Sequence, residues 1–149
     1  MKSQKIIAVH LLNDFSGSPL VFRQALESLK SNYDIELLTA TPSGEGFLSN
    51  IPHIKQTNIF YKWSSNKLVT LFLFLYSQWQ LFWLVRKKTS KGNIVYINTL
   101  LPFGAALAAI SKKCTVVYHI HEVSVKPALL KSFLVFIVEK TASKILFVS

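Results

Sequence analysis

The sequence is poor in cysteine and in acidic residues. Cys114 is the single cysteine among 149 residues, so no disulfide forms within the chain and nothing requires an oxidising compartment. Only 16% of the residues are charged and 50% are hydrophobic. This composition excludes intrinsic disorder and favours a well-buried sheet or contact with a membrane. The length suits one domain with a substantial core.

Leader, linker and nucleic-acid signals are also missing. The apolar run from Ile6 to Leu12 lacks a small-residue cleavage site and soon meets Asp14, which argues against a signal peptide. There is no internal repeat, linker or low-complexity tract. No helix-turn-helix, zinc-finger or aromatic ribonucleoprotein motif is present, which makes nucleic acid the weakest class of partner.

Acidic residues are nearly confined to the first third of the chain. Five of the seven acids precede Phe47, whereas thirteen of the 17 Lys and Arg residues follow Gly46, within a net charge of +10. A basic surface attracts anionic lipid, nucleic acid or phosphorylated ligands. A solvated surface that keeps the protein soluble explains the same charge equally well.

What the sequence does contain is an alternation of strand and helix patterns. We predict strands at 5–12, 34–40, 57–61, 93–98, 115–121 and 144–148, and helices at 19–32, 66–88, 102–113 and 127–142. Ser18 is predicted to cap the first helix, with Pro19 at its first position. The alternation predicts an α/β fold, a three-layer sandwich around a parallel sheet.

Polar residues follow several predicted strands. The run that begins at Cys114, which we interpret as a small core residue, is apolar and β-branched and ends at His121 and Glu122. Such a run is typical of a strand buried on both faces, so His119 within it is interpreted as a core histidine. Ligands of open α/β sheets bind outside the carboxyl ends of the strands. The candidate site residues at these ends are Asn13, Asp14, Gly17, Ser18, Asn98, Thr99, His121 and Glu122.

The order and spacing of these motifs resemble the amino-terminal half of a family 4 glycosyltransferase of the GT-B fold. The resemblance is carried by the segments 5–10, 33–39, 92–98, 117–122 and 144–149. Ser16-Gly17-Ser18 stands where the family has paired glycines, and His121-Glu122 where it commonly has His-Asp. The resemblance implies a Rossmann-like sandwich with a mostly parallel sheet, one half of a GT-B fold. We therefore expect residues 1–149 to be the acceptor-side domain, with the carboxyl-terminal nucleotide-sugar domain absent.

The resemblance also implies the chemistry. Enzymes of this family move a sugar from a nucleotide diphosphate to an acceptor, without a metal or a cofactor, here in polysaccharide or glycoconjugate biosynthesis. By resemblance, His121 contacts the transferred sugar, and Glu122 orients His121 or binds an acceptor hydroxyl. Gly17 lacks a side chain, so backbone amides at Gly17 and Ser18 would reach a phosphate at the helix start. A backbone-satisfied histidine, a capping or salt-bridged glutamate and a plain turn remain the alternatives.

A long apolar segment needs separate treatment. Residues 68–85 carry no charge, and the length of this apolar segment reaches the lower limit for a membrane span. The segment lies between two predicted strands of one sheet, which argues for a sheet-covering helix instead. Its polar residues approximate one narrow stripe at helical spacing: Asn66, Thr70, Ser77, Gln80 and Lys87.

The aromatic residues of this segment point in several directions, so some should remain exposed. Arg86, Lys87, Lys88 and Lys91 follow directly. We expect a cytoplasmic protein, peripherally attached to the anionic inner leaflet, which suits a lipid-linked acceptor. Two alternatives stay open: a non-catalytic Rossmann-like module that binds a phosphorylated small molecule, and an integral membrane protein that spans at 68–85.

Overall fold

A computed structural model describes residues 3–121 and 124–148 and contains a six-stranded sheet. The strands are β1 (Lys5–Leu12), β2 (Asp34–Ala40), β3 (Lys55–Asn58), β4 (Ile94–Asn98), β5 (Thr115–Ile120) and β6 (Lys144–Phe147). The helices are α1 (Gly17–Leu29), α2 (Lys67–Lys88), α3 (Phe103–Ser111) and α4 (Ala128–Thr141). Every strand pair is parallel. The predicted α/β fold is confirmed.

The strand order places a crevice at a defined point of the sheet. The order is β3-β2-β1-β4-β5-β6, so the chain winds outward in one direction from β1 and in the other from β4. The two central strands pair in register, with Ile6 opposite Ile94 and Val9 opposite Ile97. Connections leave β1 and β4 toward opposite faces, which opens a crevice outside their carboxyl ends.

The two faces of the sheet bury two separate cores. On one face, Phe22 and Leu26 of α1 pack against Ile6 and Ala8 of β1. On the other face, the alternate β1 residues Ile7, Val9 and Leu11 belong to the core beneath α2, α3 and α4. Successive strand residues point to opposite faces, so a continuous apolar run supplies both cores. Cys114, just before β5, is half-buried against the second core.

The bounds of α1 and β3 differ most from the sequence prediction. α1 begins at Gly17 with Ser16 as its N-cap residue and ends at Leu29, so Ser18 is not the cap and Pro19 is not the first helical residue. The Ser18 hydroxyl instead accepts a hydrogen bond from Asn98, a partner 80 residues away that local pattern does not reveal. β3 lies two residues earlier than predicted and has only four residues.

The buried side of α2 is not the side that its polar residues indicate. Ser77 and Gln78 are buried, at 0% and 3% exposure, with Phe74, Leu81 and Val85. Ser77, one member of the predicted polar stripe, therefore lies on the buried side of the helix. The cause is the close approach of α3.

Gly104 of α3 sets this approach. A Cβ atom at Gly104 would lie 2.2 Å from the backbone carbonyl oxygen of Gln78, so only glycine fits. The Gly104 N–H donates to Oε1 of Gln78 at 3.0 Å, which satisfies the buried amide side chain. Small and hydrogen-bonded groups thus form the contact between α2 and α3.

An ion pair fixes the carboxyl end of α2 to the sheet. Glu36 of β2 is 5% exposed, and its Oε1 lies 2.5 Å from Nζ of Lys88 and 2.8 Å from the donating hydroxyl of Thr57. Burial acts to raise the pKa of Glu36, but hydrogen bonds from Lys88 and Thr57 outweigh it and lower that pKa. Lys88 is therefore a structural residue and not one of a free basic cluster.

Candidate functional site

Four polar side chains meet in the crevice where β1, β4 and β5 end. Asn98, the last residue of β4, is fully buried at their centre. Its Nδ2 donates to Nδ1 of His10 at 2.9 Å and to Oγ of Ser18 at 3.0 Å. Its Oδ1 lies 3.0 Å from Nε2 of His121. We call these four residues the Asn98 cluster.

The hydrogen bonds of Asn98 fix the protons of both imidazoles. Its Nδ2 also contacts the Ser18 carbonyl oxygen at 3.3 Å, and a carbonyl only accepts, so this side of the amide is the NH₂ group. Nδ1 of His10 therefore accepts, and the proton of His10 is on Nε2. Because Oδ1 accepts, Nε2 of His121 carries a proton, which leaves a lone pair on Nδ1 of neutral His121.

The environment holds the histidines uncharged. Burial lowers the pKa of His10 to about 4, since backbone and Asp14 interactions that favour the cation are weaker. Burial also lowers the pKa of His121. Burial and, secondarily, the charge of His121 lower the pKa of His119. At neutral pH the site therefore favours neutral imidazoles, which act as hydrogen-bonding groups.

An aromatic stack supports His121 from the core side. The rings of His119 and His121 lie 4.9 Å apart with 27° between their planes, and His119 stacks on Tyr96 at 5.8 Å and 8°. Burial raises the pKa of Tyr96 to about 12, so its hydroxyl keeps its proton, 2.8 Å from Nδ1 of His119. His119 is buried, which confirms its interpretation as a core histidine.

Asn13 points away from the cluster and into a neighbouring loop. Its Nδ2 donates to the hydroxyls of Ser49 at 3.1 Å and Thr41 at 3.2 Å, and its Oδ1 accepts from the Leu48 N–H at 2.9 Å. A Cβ atom at Gly46 would lie 2.2 Å from that Oδ1. Asn13 thus holds the loop after β2 against the end of β1, and its side chain does not join Asn98 in one crevice.

Asp14 and Gly17 define the turn where a phosphate was expected. Oδ1 of Asp14 accepts from the backbone N–H of Ser16 at 2.9 Å and lies 2.5 Å from the Ser16 hydroxyl. The Asp14 carboxylate therefore holds the N-cap residue Ser16, and within the described residues no side chain caps the first turn of α1 itself. A Cβ atom on Gly17 would meet no atom within 4 Å, so the space beside Ser18 is open.

Thr99 has a backbone role in positioning Asn98. Its φ of +70° is in the left-handed region, unusual for a β-branched residue, and turns the chain out of β4. Its N–H donates to the His119 carbonyl oxygen at 2.9 Å, and its hydroxyl accepts from the Leu101 N–H.

Glu122 lies outside the described residues, so its predicted role stays a prediction.

Sequence reasoning missed His10 and Tyr96 as members of this region. His10 shares strand parity with Ile6 and Ala8, so it faces α1 at the end of β1. This parity, together with the expected pairing of β1 with β4, is the sequence signal that could have placed His10 beside Asn98.

In the described part of the chain, no group of three His, Cys, Asp or Glu is placed to hold a metal ion. The predicted independence from metal remains a prediction.

Comparison with known proteins gives matches at the level of structure. No protein-family model and no curated protein sequence matches the chain. The glycotransferase of kitacinnamycin superposes with a TM-score of 0.61 at 10% identity, over 93% of this chain and 35% of that protein. A Polygonum tinctorium UDP-glucosyltransferase that glucosylates indoxyl superposes with a TM-score of 0.55 at 14% identity, over 81% of this chain and 30% of that protein.

The fold also occurs outside transferases. The amino-terminal domain of Candida albicans trehalose-6-phosphate phosphatase superposes with a TM-score of 0.60 at 13% identity, covering 96% of this chain and 40% of that domain's chain. The chain spans about a third of the length of these three solved structures. At such identities the similarity shows the fold alone, and that fold is a Rossmann-like half of the GT-B type.

Proposed function

We propose that this chain is the acceptor-side domain of a family 4 glycosyltransferase, which transfers a sugar from a nucleotide-sugar donor in polysaccharide or glycoconjugate biosynthesis. The Asn98 cluster is the observation that carries the proposal. It lies in the crevice between β1 and β4, where open parallel sheets bind ligands. The GT-B-type fold, shared with solved sugar transferases, supports the same conclusion.

His121 is the residue that contacts the transferred sugar. Its Nε2–H is held by Asn98, so its Nδ1 lone pair is left to accept a hydrogen bond from a sugar hydroxyl. Asn98 is a positioning residue, because it fixes the ring and the tautomer of His121. His10 supports it from the other side by accepting from Nδ2. A neutral network of this kind is preorganised for hydroxyl groups rather than for an anion.

The donor requires a second Rossmann-like half. In transfer, the bond from the anomeric carbon to the diphosphate oxygen breaks and a bond to the acceptor oxygen forms. The nucleoside diphosphate is the leaving group and takes up the proton that the acceptor hydroxyl loses. By the family resemblance, the other half holds most of the nucleotide, and residues 1–149 bind the acceptor. No metal or cofactor is needed in this scheme, and the protein acts in the cytoplasm.

Two alternatives have less support. A module for phosphorylated ligands would use the amides at the start of α1, but the Asp14 carboxylate lies beside them on Ser16 and would repel a phosphate. A helix spanning a bilayer would separate β3 from β4, yet α2 connects these two strands of one sheet and contacts α3 through Gly104. Neither alternative gives the Asn98 cluster a role.

The test is ligand binding observed at the His121 imidazole by NMR. UDP-glucose, UDP-N-acetylglucosamine, GDP-mannose, simple glycoside acceptors and inorganic phosphate are titrated into the chain. We expect a sugar-containing ligand to shift the His121 signals and the backbone amides of Asn98 and Ser18, and His121→Gln to abolish the shifts of those two amides. Glutamine retains a group near Nε2 for Asn98 but offers no acceptor at the Nδ1 position.

His53→Gln is the matched control, since His53 is exposed in the loop between β2 and β3. It should leave every titration unchanged. Shifts by inorganic phosphate confined to the amides of residues 16–18, with His121 unmoved, would favour the phosphate module. No response of His121 to any sugar would overturn the proposal.

A further inference from the structure

The outer surface of α2 is apolar over its whole length. The exposed residues recur at helical spacing and form one stripe, which comprises Leu68, Phe72, Leu75, Tyr76, Trp79 and Trp83. Within the described residues, α2 is the helix long and apolar enough to cross a membrane, yet only 28% of its apolar window is buried. The helix is therefore turned with its polar Ser77 and Gln78 inward and its aromatic side outward.

The neighbouring helices extend this surface. α3 packs between α2 and α4, and Phe103 of α3 contacts both Phe74 of α2 and Phe133 of α4 at ring distances of 5.9 and 5.2 Å. On α4, Leu129, Phe133 and Phe136 are exposed at helical spacing. We call the exposed apolar residues of α2 and α4 the outer helical surface. Single exposed apolar residues are ordinary, but exposed apolar residues that recur along two helices of one layer indicate an interaction site.

Basic residues border the outer helical surface. Lys62 and Lys67 are exposed near the amino end of α2, and Lys87 and Lys91 near its carboxyl end. Two further cations lie over its rings: Arg86 within 5.9 Å of the Trp83 ring centroid and Lys140 within 5.6 Å of that of Phe136. The sequence has no acidic residue from Gly46 to His121.

We propose that the outer helical surface docks on an anionic phospholipid membrane, with α2 lying flat and its aromatic stripe at the acyl and headgroup boundary. Tryptophan and tyrosine favour that boundary, and a helix that lies in the interface pairs an apolar side with basic residues. The lysines at both ends of α2 contact lipid phosphates. This inference goes beyond the proposed function and does not depend on sugar transfer.

The charge of the chain argues against a second copy as occupant. Each copy carries a net charge of +10, and the lysines that border the surface would meet their own equivalents in a symmetric dimer. An anionic lipid surface instead complements both the basic border and the aromatic centre. The membrane is thus the partner that satisfies both features.

Vesicle co-sedimentation of the full chain tests the proposal. Phosphatidylcholine vesicles with 30% phosphatidylglycerol are compared with pure phosphatidylcholine vesicles at low and high salt. We expect binding to the anionic vesicles at least about tenfold tighter, and weakened by salt. Lys62, Lys67, Lys87 and Lys91 replaced together by Gln should lower that binding at least about tenfold. Lys88 is kept, because it pairs with buried Glu36.

A matched pair of phenylalanines tests the apolar part. Phe72 on the outer helical surface is 72% exposed, and Phe15 in the turn before α1 is 65% exposed. Phe72→Ser should weaken vesicle binding at least about threefold, whereas Phe15→Ser should leave it unchanged. Trp79→Ser with Trp83→Ser should weaken it further. Circular dichroism should show the same fold for all variants, because every replaced side chain is exposed.

Three outcomes would overturn the proposal. The first is equal binding to neutral and anionic vesicles, or binding to neither. The second is an equal effect of Phe72→Ser and Phe15→Ser in variants that keep the fold. The third is self-association in sedimentation equilibrium that Phe72→Ser abolishes, without vesicle binding, which would assign the surface to a second copy.

Discussion

The side chain of Asn98 joins His10 and His121, whose Nδ1 and Nε2 atoms lie 2.9 and 3.0 Å from its two ends. Replacing its amide by a carboxylate should change both imidazoles. In Asn98→Asp an acceptor replaces the donor that faces Nδ1 of His10, so His10 should take up a proton and its pKa should rise from about 4 by at least about one unit. NMR titration of the histidines measures this shift. An unchanged pKa of His10 would contradict the tautomers assigned to the cluster.

A second prediction concerns stability as a function of pH. The pKa of His10 is about 4 in the folded state, below its ordinary value of 6.5, so the neutral form is favoured by folding. Its contribution is fully present above pH 6.5 and is lost as pH falls toward 4, by about 3 kcal/mol in all. His119 and His121, whose pKa values are also lowered, act in the same direction. Urea unfolding between pH 7 and 4 measures the free energy of unfolding.

The variant His10→Gln serves as the control for this effect. It removes the titrating group, so the free energy of unfolding should decrease much less between pH 6.5 and 4 than in the unmodified chain, even where the variant is less stable at pH 7. A decline of the same size in His10→Gln would assign the pH dependence to other groups.

The neighbouring residues Lys87 and Lys88 should differ sharply. Lys88→Gln leaves buried Glu36 with the weaker charge interactions of Lys5, at 3.7 Å, and Lys55, and should cost about 2–4 kcal/mol of unfolding free energy. Lys87 is exposed, so Lys87→Gln should change stability by less than about 0.5 kcal/mol. Thermal and urea unfolding of the two variants measures this difference in stability. Similar stabilities would show that the pair with Glu36 contributes nothing.

A pair of glycines tests the contact between α2 and α3. Gly104→Ala places a Cβ atom 2.2 Å from backbone of Gln78, which must shift the helices apart and should cost about 3 kcal/mol. Gly17→Ala adds a methyl group in open space at the start of α1 and should be neutral or slightly stabilising. Comparable losses in both variants would mean that helix propensity, and not the close approach, determines the effect.

The last prediction is that residues 1–149 alone do not transfer sugar. Positioning donor and acceptor together supplies a large share of such a barrier, about 7–11 kcal/mol in favourable systems, and the proposed donor half is a separate domain. Incubation of the purified chain with labelled nucleotide sugars and glycoside acceptors measures this. Turnover by the chain alone would contradict the predicted inactivity. If His121→Gln kept that turnover, the proposed role of His121 would be contradicted as well.

Part of the candidate site could be predicted from sequence. Asn98, Ser18 and His121 follow from the rule that parallel strands place polar residues together at their carboxyl ends, and the structure joins all three. Asn13 follows the same rule, yet its side chain turns to Ser49 and Leu48. Which way a buried amide turns depends on the loops that pack over it, and neither strand pattern nor spacing contains that information.

The sequence by itself determined the alternation of strands and helices, and with it the parallel sheet, because β-branched runs and turn residues act locally. Only the tertiary structure decided the orientation of α2. This helix is apolar on nearly every side, so periodicity could not select the face that would be buried. Close contact selected it: Gly104 admits the backbone of Gln78 against α3, and this orientation leaves Trp79 and Trp83 exposed. The pairing of Lys88 with Glu36, 52 residues apart, was likewise decided by the packing of α2 on the sheet.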